Sequence, residues 1–148
     1  MKFSFLILIA LIALSGGFLA GYSSAADTNP YAELTKVPEK ERARSNPLEH
    51  DPDAIAAGGK LYGLHCAECH GVNGEGGNKG KKKGPSLRAA EIQQATPGTL
   101  FWLLTNGSVR RGMPVWSKLP EPQRWQIVTY VKSLNASPSQ SGNSGGSK

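Results

Sequence analysis

Cysteine is nearly absent from this chain: two in 148 residues, Cys66 and Cys69. That excludes a disulfide-dense secreted scaffold and leaves two thiols close enough to serve one local chemistry. Methionine is as scarce, with only Met1 and Met113. Aromatic residues make up 7% and charged residues 19%, while hydrophobic residues reach 39% beside 18 Gly and 10 Pro. This balance excludes a wholly disordered chain and a multi-span membrane protein, and suits one small, loop-rich globular domain with appendages. No internal repeat is present. A phosphate loop for a nicotinamide or flavin is also missing, because the glycine clusters are lysine-rich and follow no strand.

What is there begins with an address. Met1-Lys2 is a short positive start, and Phe5 to Leu14 is an uncharged apolar run. Ser15-Gly16-Gly17 breaks the run and Ser24-Ala25-Ala26 offers small residues for a signal peptidase, so residues 1–26 read as a secretory signal cleaved after Ala26. The competing reading is an uncleaved membrane anchor, since Phe3 to Ala20 is mostly apolar. No cysteine follows directly, which excludes a bacterial lipoprotein anchor. Either way the folded part is exported, and the periplasm is the expected compartment.

Charge is spread unevenly. Residues 27–50 read as a charged N-terminal linker, with Asp27 to Pro52 carrying a net −2, whereas Asp53 to Leu134 carries +6. Residues 135–148 are Ser/Gly-rich and read as a disordered tail. The folded domain is therefore expected at 51–134.

That domain reads as all-α. Asp51 before Pro52 is a cap followed by proline at the first helical position, opening a helix through Leu64 despite Gly58, Gly59 and Gly63. A glycine inside a helix costs about 1 kcal/mol, which calls for a packing reason such as close helix approach. Thr96-Pro97 opens a second helix, stopped by Asn106-Gly107, and Glu121-Pro122 opens a third with Ile127, Val131 and Leu134 at helical spacing. Between them Gly71 to Pro85 is almost entirely Gly, Asn and Lys and cannot form a core of its own. A domain this small, with so much loop, calls for a central staple.

Cys66-Ala67-Glu68-Cys69-His70 supplies one. C-x-x-C-H is the attachment signature of c-type haem: one turn of chain sets two sulfurs along a haem edge for thioether bonds, and the next residue brings an imidazole to the iron. A zinc half-site is the first rival, but only His50 and His65 remain outside the motif, at unpromising spacing. A thioredoxin-like redox pair is the second, and its βαβ setting is absent. With Met1 lost to processing, Met113 is the sole thioether, in Arg110-Arg111-Gly112-Met113-Pro114-Val115-Trp116. It reads either as a gap-filling core residue or as the second axial iron ligand opposite His70, as in His/Met cytochromes. A Gly-Met-Pro loop between helices favours the ligand. His50 and His65 are the reserve candidates, and Trp116, next to the methionine loop, is the candidate pocket aromatic.

On these residues Asp53 to Leu134 resembles a class I c-type cytochrome, a small helical monohaem electron carrier of bacteria. The resemblance implies three to five helices around one covalently bound haem c, with long loops. It implies that Gly58 and Tyr62 form a small/aromatic pair crossing the C-terminal helix near Tyr130. It also implies that the carbonyl of Pro85, in Gly84-Pro85-Ser86-Leu87, accepts a hydrogen bond from His70 and so fixes its tautomer. The charged lead, the Ser/Gly tail and the lysines of the Gly71–Gly84 loop have no counterpart in that pattern.

The function expected is single-electron carriage between redox partners, not catalysis, because six-coordinate iron has no open site. The alternative is a haem c electron-accepting subunit or partner of a periplasmic dehydrogenase or oxidase complex. Gas sensing ranks last, with no output domain in view. Lys79 to Lys83 read either as a solvated loop or as a docking patch for an acidic redox partner. Nucleic acid is not expected as a partner, and the membrane enters only if the signal is retained. Arg110 and Arg111 are open between propionate pairing and the surface. Terminal sequencing of the exported protein should start at Asp27; a start at Met1 would make the apolar run an anchor.

Overall fold

The structure is a computed structural model that describes residues 29–77 and 83–135. The signal segment, Lys79, Lys81 and Lys82 of the basic cluster, and the tail from 136 onward lie outside the described residues. Among those described, the regular elements are helical: α1 (Glu39–Arg42), α2 (Pro52–His65), α3 (Ala67–His70), α4 (Ala90–Gln94), α5 (Pro97–Asn106) and α6 (Glu121–Ser133), with 3₁₀ turns at Ala32–Lys36 and Val109–Arg111. This is the small all-α architecture that the sequence leads one to expect. The count exceeds the expected three to five because α1 and α3 are single turns of four residues.

The long helices start and stop where their local chemistry dictates. The Asp51 carboxylate accepts hydrogen bonds from the N–H groups of Asp53 (2.9 Å) and Ala54 (3.3 Å), satisfying donors that the first turn of α2 leaves open. The Thr96 hydroxyl accepts from Thr99 N (3.2 Å) at the head of α5. Gly107 ends that helix at φ 66°, a left-handed conformation that glycine adopts without strain. The Lys132 ammonium donates to the carbonyls of Ala95 (3.0 Å) and Gln93, capping the end of α4 from the flank of α6.

The core is one cluster built from Tyr62, Ile92, Leu100, Phe101, Leu104, Trp125, Ile127, Val128 and Val131. Its frame is the crossing of α2 and α6. A Cβ at Gly58 would stand 2.0 Å from the Gln126 carbonyl oxygen and 2.9 Å from Tyr130 Cβ. The glycine is therefore the price of backbone-to-backbone approach. One turn on, Tyr62 packs on Tyr130 with ring centroids 5.1 Å apart, within the range of favourable aromatic pairs.

The stretch from Asn29 to Asp51, which composition marks as a charged linker, lies packed on this frame. Val37 is buried, and Tyr31 and Leu34 lie against the core cluster. A Cβ at Gly98 would stand 2.1 Å from the Glu41 carbonyl oxygen, so the strap backbone runs directly over the start of α5. The Asn46 amide, itself buried, donates to the Thr129 hydroxyl of α6 (2.8 Å). The Arg44 guanidinium sits 4.5 Å above the Phe101 ring and reaches Glu121 at 2.7 Å, while Phe101 stacks on Trp125 at 4.0 Å. Such a cation–aromatic contact contributes about 0.5–1 kcal/mol at a partly exposed site.

Gly58→Ala should destabilise the protein by roughly 2 kcal/mol, the overpacking loss exceeding the gain in helix propensity. Urea unfolding checks this beside Gly63→Ala, where nothing lies within 4 Å of the added Cβ. That second change should be neutral or stabilising by up to about 1 kcal/mol.

Candidate cofactor site

Helix α2 ends at His65, and the chain turns through Cys66 straight into α3, whose last residue is His70. Both thiols are free and half-buried. Burial, then the neighbouring Cys69, pushes the Cys66 thiol up to about 11. This is the opposite of the lowered value that makes a redox-active thiolate. Among the described residues no three His, Cys, Asp or Glu side chains converge as a metal cluster. The two rival readings of C-x-x-C-H thus find no support in the geometry.

His70 is held from one side. Its Nδ1 lies 2.8 Å from the Pro85 carbonyl oxygen. A carbonyl can only accept, so Nδ1 carries the proton and the Nε2 lone pair is left free for a metal. Burial keeps the imidazole below the usual histidine range, against the opposing effect of the Pro85 hydrogen bond. The loop bearing Pro85 presses close, since a Cβ at Gly84 would stand 2.7 Å from Nδ1.

The glycine-rich loop after His70 is tied together by its own backbone. Gly76 N donates to His70 O (2.7 Å), Gly84 N to Cys69 O (2.8 Å) and Leu87 N to Gly74 O (2.8 Å). Gly71, Gly74 and Gly76 have φ of 82°, 74° and 94°, values that explain why this loop is glycine-rich. The Tyr62 hydroxyl, buried and with its pKa raised chiefly by burial, donates to Gly71 O (2.6 Å) and anchors the loop to α2. Arg88 closes it from outside by donating to Asn73 O (2.6 Å) and Leu134 O (2.9 Å).

Met113 sits in a tight return of the chain. Ser108 and Met113 exchange backbone hydrogen bonds of 3.0 and 3.1 Å around the second 3₁₀ turn, and Gly112 at φ 87° makes the reversal. The methionine is half-buried and rests on the same core cluster as Cys66, Leu87 and Trp116. The Trp116 ring meets His65 at 5.0 Å, linking the end of α2 to the methionine loop. Leu104 O, on α5, accepts from Trp116 N at 3.2 Å. His50 is remote in character: 91% exposed at the side chain and outside this cluster. Arg110 is exposed, and Arg111 lies 3.5 Å from Glu33. Of the basic cluster only Lys83 is described, and it is exposed.

Sequence reasoning did not single out Tyr31, Glu33 or the close approach of Gly84. All three depend on contacts between distant segments, and only the glycine carried any local signal.

An all-helical frame with Cys-x-x-Cys-His at a helix junction, and a histidine whose outer nitrogen is free, defines the class of c-type cytochrome domains. A family model described as cytochrome c oxidase, cbb3-type, subunit III matches residues 53–131, and the chain belongs to that family. It is 34% identical over 95 residues to the cytochrome bc1 complex cytochrome c subunit of Corynebacterium diphtheriae, covering 62% of this chain and 31% of that one. It is 30% identical over 109 residues to the cbb3-type cytochrome c oxidase subunit FixP of Azorhizobium caulinodans, covering 70% of this chain and 35% of the other. The quinohemoprotein alcohol dehydrogenase ADH-IIG of Pseudomonas putida is 29% identical over 129 residues, covering 77% of this chain and 17% of the enzyme. The chain thus spans about a third or less of the length of these relatives. The family is one of electron-transferring haem c proteins. Among the described residues no helix is long and apolar enough to cross a membrane.

Gly84→Ala should cost about 1–3 kcal/mol in urea unfolding. It should also disturb the Nδ1 hydrogen bond of His70, read as a change in that nitrogen's NMR shift. Unchanged stability with an unchanged shift would show that the loop yields freely.

Proposed function

We propose that Cys66 and Cys69 bind one haem c through thioether bonds, with His70 and Met113 as axial ligands, and that the domain carries single electrons in the periplasm. The observation that carries this reading is the His70–Pro85 contact: it selects the tautomer whose free nitrogen is Nε2 and holds the ring in one orientation. The residues fit the group. The donor set is one imidazole and one thioether, the thiols are free and half-buried, and Met113 shares the apolar cluster with Cys66 and Trp116.

When bound, haem c supplies a one-electron iron couple, raised in potential by Met/His ligation. The chain's own residues do the rest. Pro85 keeps the proton on Nδ1 of His70, and the Ser108–Met113 pairing sets the height of the thioether. Trp116 and the core residues exclude water from one side, so that little rearranges as charge changes.

In this reading the cytochrome domain runs over 51–134, the export signal over 1–26, and the basic loop from Lys79 to Lys83 steers an acidic redox partner. A second reading is favoured by the relatives' names: a haem c subunit or electron-accepting partner of a periplasmic oxidase or dehydrogenase complex. The two differ in whether the exported protein is recovered alone or with a larger complex.

The test is the absorption spectrum of the periplasmically matured protein, oxidised and reduced, then under carbon monoxide. A low-spin spectrum with the weak sulfur-to-iron charge-transfer band, unchanged by the gas, is expected. Met113→Ala should abolish that band, lower the midpoint potential and admit carbon monoxide. Cys66→Ser with Cys69→Ser should leave haem extractable by acid solvent. A high-spin spectrum in the unaltered protein would remove Met113 as ligand, and absence of covalent haem would overturn the reading.

A further inference from the structure

We infer that the N-terminal strap is a positioning clamp that grips both loops of the proposed haem site, Tyr31 through the Ser86 carbonyl and Glu33 through Arg111. The inference rests on the ligand assignment just proposed. Tyr31 Oη donates to Ser86 O at 3.0 Å. Ser86 directly follows Pro85, whose own carbonyl receives the His70 proton at 2.8 Å. The proximal loop is thus held from outside within one peptide unit of the contact that orients the histidine.

Glu33 Oε1 lies 3.5 Å from Arg111 Nε, with both side chains only about a quarter exposed (21% and 26%). Arg111 is part of the turn that closes on Met113: its N–H donates to Ser108 O at 2.8 Å, and Ser108 is paired with Met113. The distal loop is partly open to solvent. Val109 and Val115 are exposed, at 70% and 47%. Among the described residues its other attachments are Met113 and Trp116 on the core cluster, the Trp116–His65 ring contact, Trp116 N to Leu104 O and the close approach of Gly107 to Pro114.

The strap can exert this grip because it is itself fixed. Tyr31 and Leu34 are three residues apart around a 3₁₀ turn, so they share one face, and both lie on the core. Arg42 folds back to donate to Val37 O and Thr35 O, each at 2.8 Å. Thr96 Oγ1 then donates to Arg42 O at 2.8 Å, pinning the strap to the head of α5. Lys36, at 2.9 Å from the same Glu33 oxygen, keeps that carboxylate charged and oriented. One rigid turn therefore reaches the histidine side with Tyr31 and the methionine side with Glu33.

The experiment compares Tyr31→Phe, Glu33→Gln and their combination with Lys36→Gln, all in the exported full-length protein. Amide hydrogen exchange is read at Ser86, Gly112 and Met113. Spectroscopy follows the sulfur-to-iron band, the midpoint potential and the rate of carbon monoxide binding to the reduced form. Glu33→Gln should speed exchange at Gly112 and Met113 and carbon monoxide binding, each about fivefold, while Lys36→Gln changes neither as much. Tyr31→Phe should speed exchange at Ser86 and shift the potential with the distal loop unaffected. The exchange Glu33→Arg with Arg111→Glu should restore the distal readouts.

Loop exchange that does not differ from Lys36→Gln, or that rises equally at every amide with the loss of global stability, would overturn the clamp. If the unaltered protein lacks the sulfur-to-iron band, the ligand assignment falls. The clamp is then decided by the amide readouts alone.

Discussion

The bare backbone of α2 at Gly58 rests against the Gln126 carbonyl of α6, and the rest of the architecture hangs from that approach. Two helices that meet so closely have few crossing geometries open to them, and Tyr62 packs on Tyr130 beside the contact. The crossing aims the C-terminal end of α2, and that end is where Cys66 begins the binding motif. The position of the motif is thus set by a contact two helical turns upstream of it.

Around this frame the protein makes up for a small core with polar struts. Arg44 over Phe101 and Trp125, Lys132 on the end of α4, Arg88 on Asn73 and Leu134, and Tyr62 on Gly71 all end on rings or backbone carbonyls. Long side chains spend their charged ends on groups that loops leave unsatisfied while their aliphatic stems cover apolar surface. This suits a small domain whose long loops have no regular structure of their own.

The three long helices were legible because their limits are local. An Asp-Pro or Thr-Pro start and an Asn-Gly stop act within one turn of chain. The binding motif was legible for the same reason, being chemistry at fixed spacing. The strap was not: Tyr31 to Ser86 and Asn46 to Thr129 join residues 55 and 83 apart, and nothing in a charged, proline-bearing stretch announces such partners. The glycine-rich loop looked featureless by composition, yet over residues 71–77 and 84–87 positive φ angles and backbone bonds give the chain a defined path. The short helices α3 and α4 went unread because packing and the turn geometry around them, not propensity, make them helical.

The strap also bears on how the molecule assembles in time. Its residues leave the ribosome before any other described part of the chain, yet the Asn46 amide finds its acceptor on Thr129, near the end of the last helix. Tyr31 and Arg42 have partners at Ser86 and Thr96 that precede α6 in the chain, but the Asn46 contact waits for α6, and closing so long a loop is entropically slow. The strap is therefore fixed in stages, its early turn by residues in mid-chain and its Asn46 end only by the closing helix.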